Sequence, residues 1–178
     1  MRTRLITAIM ACDSNGGIAY KNELPWRVRD DEIFYIEMIK NKVIVLGYKT
    51  YLNMSEEILS CCHWVIFSHN PDRKPRNDCE HSTTFVSGIE DFIKMDIFGQ
   101  DIEFYMIGGA EIASLFLQHN LIDQFFITHI NKQCISDQFI PLDKVIWWPQ
   151  KCLQQTDECS FNYYMNPLSP NLSWTSLP

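Results

Sequence analysis

Asp101-Ile102-Glu103-Phe104-Tyr105-Met106-Ile107-Gly108-Gly109-Ala110-Glu111-Ile112-Ala113-Ser114-Leu115-Phe116-Leu117 is the stretch on which the fold turns. A β-rich apolar run stops at two glycines, and a helical pattern begins at once, with Ile112, Leu115 and Phe116 at i, i+3 and i+4. The predicted unit is a strand, a tight turn and a helix. Paired glycines at such a junction let backbone approach a ligand closely, and the free N–H groups of a helix start favour phosphate. Gly-Gly-Ala lacks the spacing of the GxGxxG fingerprint, so the segment alone is equally consistent with a plain turn.

The same punctuation recurs on both sides. Residues 5–11 (Leu-Ile-Thr-Ala-Ile-Met-Ala) are continuously apolar, as a central strand buried on both faces should be. Asp13-Ser14-Asn15-Gly16-Gly17 breaks that run. Residues 18–26 show no period and two turn signals, which reads as a long mobile loop anchored by Trp26. Residues 30–40 carry Ile33, Phe34, Tyr35, Ile36, Met38 and Ile39, the pattern of a helix buried around more than one face, behind the acidic start Asp30-Asp31-Glu32.

Val43-Ile44-Val45-Leu46 forms a second strand, ended by Gly47, with Lys49 and Thr50 in the first turn of a short helix through Met54. Trp64-Val65-Ile66-Phe67 is a third, closing on Ser68-His69-Asn70-Pro71, and residues 72–77 read as a polar, basic surface loop. A short strand at 83–86 and a helix at 88–95 follow, with Ile89, Phe92 and Ile93 inward. Beyond the opening unit come a strand at 124–130 and a closing hairpin within 152–165. The predicted architecture is a single α/β domain over residues 1–165, with a mainly parallel central sheet flanked by helices and an antiparallel C-terminal strand. Residues 166–178 are a Pro/Ser-rich tail.

Composition narrows the function. The chain has 178 residues, 46% hydrophobic and 21% charged, with net charge −7, which disfavours a general nucleic-acid or anionic-membrane surface. No run approaches the ~20 apolar residues of a membrane span, and the N-terminal run reads as a strand and not as a signal peptide. Seven cysteines without ligand spacing point to reduced thiols in the cytoplasm and no metal. Adjacent Cys61 and Cys62 would face opposite sides of a strand. Three strand ends, at Gly47, Ser68 and Gly108, should converge on the sheet edge where open α/β proteins bind ligands.

The order of motifs resembles the dihydrofolate reductase family over nearly the whole chain. The resemblance is carried by Ile9-Met10-Ala11, Gly17-Ile18-Ala19, Asn22-Glu23-Leu24-Pro25-Trp26, Val43-Ile44-Val45-Leu46-Gly47-Tyr48-Lys49-Thr50, Ile107-Gly108-Gly109-Ala110, and Ile127-Thr128-His129-Ile130 ahead of Asp137 and Pro141. It implies a dihydrofolate reductase-like fold and NADPH-dependent hydride transfer to 7,8-dihydrofolate, giving tetrahydrofolate. It also implies a catalytic carboxylate early in the helix after Leu-Pro-Trp. Counting from Trp26 selects Asp31, with Tyr35 one turn on; counting from the aromatic pattern selects Glu32.

By the same resemblance, Ile9, Tyr35, Met54 and Ile107 would shape the substrate pocket and Thr128 would hydrogen-bond the carboxylate. Ala11 and Ile18 would hold the nicotinamide through backbone groups. Lys49 and Thr50 would meet phosphates, and Ser68 and His69 would face the adenosine 2′-phosphate. Gly108, Gly109, Ala110, Glu111 and Ile112 would line the pyrophosphate, with a cis bond between the glycines. A monomer is expected, with the tail as the surface for any partner.

The chain departs from the family at five places. Cys62 stands where the family usually has an arginine for the glutamate carboxylate of folate, Tyr48 where an arginine is common, His69 as the basic partner for the 2′-phosphate, and Ala113 where a tyrosine is frequent, and the tail after Asn166 runs beyond the usual closing strand. The first three changes remove permanent positive charge, from the substrate tail and from the cofactor site. Two alternatives follow: an NADPH-dependent reductase of another pterin or pyrimidine, or a non-catalytic binding member of the fold.

Overall fold

The computed structural model describes residues 4–60, 62–70, 72–76, 83–95 and 102–172. Cys61, Pro71, Asn77, Cys79, Asp101 and the tail beyond residue 172 lie outside them. Among the described residues are strands β1 (Arg4–Cys12), β2 (Gly17–Ala19), β3 (Val43–Gly47), β4 (His63–Phe67), β5 (Thr83–Val86), β6 (Ile102–Gly108), β7 (Gln124–Ile130), β8 (Gln138–Phe139), β9 (Gln150–Gln155) and β10 (Cys159–Met165). Helices are α1 (Arg29–Ile39), α2 (Tyr48–Leu52), α3 (Glu56–Leu59), α4 (Ile89–Lys94) and α5 (Ala110–Gln118).

Eight strands form one sheet in the order β5-β4-β3-β6-β1-β7-β10-β9. Pairing is parallel from β5 across to β7, and β10 runs antiparallel to both its neighbours. The expected mainly parallel sheet with an antiparallel C-terminal strand is what forms. Side chains alternate between faces along a strand, and the core divides accordingly. Ile6, Ala8 and Met10 of β1 join Val45, Val65, Phe67, Phe104 and Met106 under α4 and α5. On the opposite face Ile9, Ile44, Leu46, Trp64, Ile66, Tyr105 and Ile107 pack beneath α1 and α2. Phe92 and Phe116 bring α4 and α5 into ring contact at 5.2 Å between centroids.

Two expectations change. Helix α1 is not buried around several faces: Ile33 and Ile36 are 46% and 45% exposed, and only Asp31 and Ile39 are buried. The helix lies across one face of the sheet with solvent on its other side, so it presents one stripe inward (Asp31, Tyr35, Met38, Ile39), the 4-3-1 spacing of a single helical face. On α4, Ile93 is likewise 49% exposed, because a helix of under two turns can seat only one side, here through Phe92.

The segment 18–26 is also more ordered than its sequence suggests. Strand β2 pairs with β8, and Tyr20 bridges Glu23 around a turn in which Lys21 and Asn22 have positive φ. At the other end of the chain, Asn166 is buried and donates to the Ile122 carbonyl at 2.7 Å, while Asn171 reaches Asp123. No helix among the described residues is long and apolar enough to cross a membrane.

Candidate active site

The parallel register brings the three strand ends side by side. Gly47 lies opposite Phe67, and Leu46 opposite Gly108 after a one-residue irregularity at Ile107. Bulges of this kind re-aim side chains beside functional sites. A cleft of about 1650 Å³ opens along this edge, between α1 and α2 on one side and β7, β8 and α5 on the other. That exceeds the usual 300–1,000 Å³ of a single small-molecule site, so there is room for two ligands.

Most of the residues singled out in the sequence line this one cleft. Asp31, Glu32, Ile9, Tyr35, Met54, Ile107 and Thr128 are at one end, with Ala11 and Ile18 beside them. Lys49, Thr50, Ser68, His69, Gly109, Ala110, Glu111 and Ile112 continue the lining. Gly108 is the exception: it is buried beneath the surface with φ +98°, and a Cβ there would sit 2.8 Å from the Met10 methyl. The Gly108–Gly109 bond is cis.

Helix phase separates the two acids. Asp31 is on the inward stripe and 8% exposed, whereas Glu32 is exposed at the cleft lip. Burial raises the Asp31 carboxyl above the usual carboxylate range; hydrogen bonding from Thr128, and less from Trp26, opposes the shift without cancelling it, and Glu32 adds to it. Thr128 is 2% exposed and lies opposite Ala11 on β1 and Phe161 on β10. The Trp26 indole N–H is buried and closes no hydrogen bond of regular geometry. Phe34 fixes the helix over the sheet by stacking on Phe161 at 4.6 Å.

The glycine turn makes a shallow seat. The Gly109 N–H donates to the Thr50 hydroxyl at 3.0 Å, locking the α2 start to the β6 end. A Cβ on Gly109 would lie 3.3 Å from that hydroxyl, and one on Gly47 would press on Ile112 at 3.2 Å. Bare backbone is therefore what leaves the floor open beside the first turn of α5. Lys49 at the wall and this amide-lined floor suit the phosphates of a dinucleotide, so the residues present fit that group.

Four contributors escaped the sequence reading. Asn22 and Gln138 meet over the cleft (Gln138 Nε2 donates to Asn22 Oδ1 at 3.0 Å), and Asn53 donates to the Asn22 carbonyl at 3.2 Å. The fourth is Arg73, from the loop read only as basic surface; it lines the cleft with its guanidinium over the Tyr48 ring, 3.9 Å from the centroid. Only the turn signal at Lys21-Asn22 and the basic character of the loop hinted at them. Among the described residues no group of three or more His, Cys, Asp or Glu side chains gathers as for a metal ion.

A model of the dihydrofolate reductase family matches residues 5–166. Among curated relatives, dihydrofolate reductase of Enterococcus faecium is 28% identical over 138 residues, covering 76% of this chain and 77% of that protein. Segregation and condensation protein A of Mycoplasmoides gallisepticum is 26% identical over 140 residues; they are 78% of this chain but only 22% of that protein. The chain thus spans about a fifth of the length of that relative. A solved structure of dihydrofolate reductase from Enterococcus faecalis, complexed with NADP(H) and RAB-propyl, superposes with a TM-score of 0.67. It is 18% identical and covers 91% of this chain and 96% of its own, a likeness of fold.

Proposed function

Because the chain belongs to the dihydrofolate reductase family, we propose that it reduces 7,8-dihydrofolate to tetrahydrofolate with NADPH, in the cleft at the carboxyl ends of β3, β4 and β6. The observation that carries this reading is Asp31, a buried carboxyl with raised proton affinity facing a cleft large enough for two ligands.

In this reading Asp31 accepts two parallel N–H bonds from the 2-aminopyrimidinone edge of the pterin, the fork geometry that a carboxylate offers a guanidinium. Its proton affinity, raised by burial, eases passage of a proton toward the ring nitrogen. Thr128 keeps the carboxyl oriented, and Ile9, Tyr35, Met54 and Ile107 form apolar walls that hold the ring and exclude water. NADPH, when bound, supplies the hydride. Ala11 and Ile18 would hold its nicotinamide, Lys49 and Thr50 its phosphates, Gly109, Ala110, Glu111 and Ile112 its pyrophosphate, and Ser68 and His69 its adenosine end, with Gly108 shaping the turn from beneath. Glu32, at the lip, carries no proton to the ring.

The test is NADPH oxidation on addition of dihydrofolate by the purified chain, by Asp31→Asn and by Glu32→Gln. Turnover that collapses only in Asp31→Asn supports the reading; collapse only in Glu32→Gln moves the acid, and absence of turnover in the unaltered chain overturns the activity.

One observation favours a second substrate within the same chemistry. Cys62 is buried with its thiol donating to the Ile39 carbonyl at 3.3 Å, so nothing cationic can stand there for a glutamate carboxylate. The nearby Arg76 is committed elsewhere, donating to the carbonyls of Tyr51, Leu52 and Met54 at 2.9 to 3.3 Å. A dihydropterin without the glutamate tail turned over more efficiently than dihydrofolate would establish this second reading.

A further inference from the structure

We propose that Arg73, seated on the face of Tyr48, reads the phosphate on the adenosine ribose of the cofactor and so sets a preference for NADPH over NADH. The proposal rests on the reading that the cleft takes a nicotinamide dinucleotide, and it concerns the end where sequence alone left Ser68 and His69.

A phosphate monoester carries nearly two charges and asks for a permanent cation with several donors. Ser68 and His69 do not supply one: a hydroxyl is neutral, and an imidazole lacks the fork of donors that a guanidinium presents. The Ser68 hydroxyl is moreover engaged with the Asn70 backbone, at 2.9 Å to its carbonyl and 3.2 Å from its N–H. With Tyr48 where an arginine would serve, this end would be poor in charge if the loop after β4 pointed away.

The loop does not point away, because it is pinned on both flanks of Arg73. On one side the Asp72 N–H bonds Asn70 Oδ1 at 3.1 Å. On the other, the Arg76 N–H donates to the Tyr51 hydroxyl at 2.9 Å while its guanidinium caps the last carbonyls of α2. Arg76 is thereby spent as a fastener, and Arg73 is left over the cleft. Stacking on an aromatic face orients a guanidinium plane while leaving its five N–H donors at the edge, a geometry that a lysine cannot reproduce. Tyr48 itself is steadied by Phe85 and Tyr51 at 6.3 Å each, so the seat is part of the core face. Among the described residues no carboxylate pairs with Arg73. The tyrosine that displaces a cation from the chain after Gly47 thus supports another cation from the loop after β4.

The experiment measures binding of adenosine 2′,5′-bisphosphate, NADPH and NADH to the purified full chain by calorimetry, without any substrate turnover. Arg73→Gln should weaken the bisphosphate and NADPH roughly 10- to 100-fold, the loss of a charge-assisted contact, and leave NADH within about twofold. Arg73→Lys should recover only part of this. Lys74→Gln, a neighbouring exposed cation, should change neither ligand. Equal weakening of NADPH and NADH in Arg73→Gln, or no weakening at all, overturns the proposal while the dinucleotide reading stands. An unaltered chain that binds neither dinucleotide overturns both.

Discussion

Thr128→Val isolates the hydroxyl that tempers the Asp31 carboxyl. The substitution keeps side-chain volume at a position 2% exposed, so what it removes is one hydrogen bond to a buried acid. A bond to a charged group contributes about 1.5–3 kcal/mol, and the methyl that replaces the hydroxyl returns up to ~0.8 kcal/mol of apolar burial. The net loss is therefore about 1–2 kcal/mol while Asp31 is ionised, or about 2–8 °C in Tm for a chain of this size. Its pH dependence has a definite sign. Thr128 lowers the folded pKa of Asp31 relative to the variant, so the stability that it contributes is present above that pKa and shrinks as pH falls through it. The falling limb of the rate profile should move the other way, toward higher pH, because the variant keeps its proton longer. Thermal denaturation at neutral and acid pH, with a pH profile of kcat/KM, measures both. Equal destabilisation at every pH, with an unmoved limb, would show that Thr128 is ordinary core packing and refute the coupling.

Asp31→Asn should lose about 10²–10⁴ in turnover yet unfold at higher urea than the unaltered chain at neutral pH. The raised folded pKa means that the stability associated with Asp31 is full in acid and lost as pH rises through that pKa, so the variant's advantage should vanish at acid pH; an advantage that persists there would contradict the burial argument. The Cys12 thiol is buried and pushed up to about 12, by burial first and then by Asp13, so alkylation of the native chain at mildly alkaline pH should mark exposed Cys152 and spare Cys12. Mass spectrometry decides it, and equal labelling of the two would sink the assignment. Glu32→Lys reverses charge at the cleft lip and should lower KM for dihydrofolate about two- to fivefold, as expected of an exposed ion pair. A dihydropterin without the glutamate should show no change; an equal effect on both substrates would place Glu32 at the ring.

The elements that position the site were legible because each ends in residues with few structural options. Apolar runs closing on Gly47, Ser68 and Gly108 marked three parallel strands, and parallel neighbours must place those turns at one edge. The acid was legible only to within one residue. The gapless interval to Gly47 favours Asp31 and the aromatic pattern favours Glu32, and helix phase distinguishes them only once it is known that Tyr35 and Ile39 face inward, since that puts Asp31 on the same stripe and turns Glu32 to the lip. The exposed Ile33 and Ile36 misled for the same reason: composition shows that a helix is apolar, not how much of it one face of a sheet can cover. Arg73 was out of reach altogether. Its partner Tyr48 belongs to a different strand–helix junction, and the contact depends on Arg76 fastening the loop to α2.

The cleft is lined by charges of both signs: Arg27, Lys49 and Arg73 stand along the same groove as Glu23, Asp31, Glu32, Glu111 and Asp137. In the proposed reaction, losing an arginine at Cys62 is tolerable for the chemistry though costly for the tail. Contacts to a remote carboxylate are made equally in ground and transition states and lower KM, whereas the contacts of Asp31 would change as the ring is protonated and act on kcat. On that reading the reaction chemistry rests on a single buried acid, and ligand identity rests on contacts made elsewhere in the same groove.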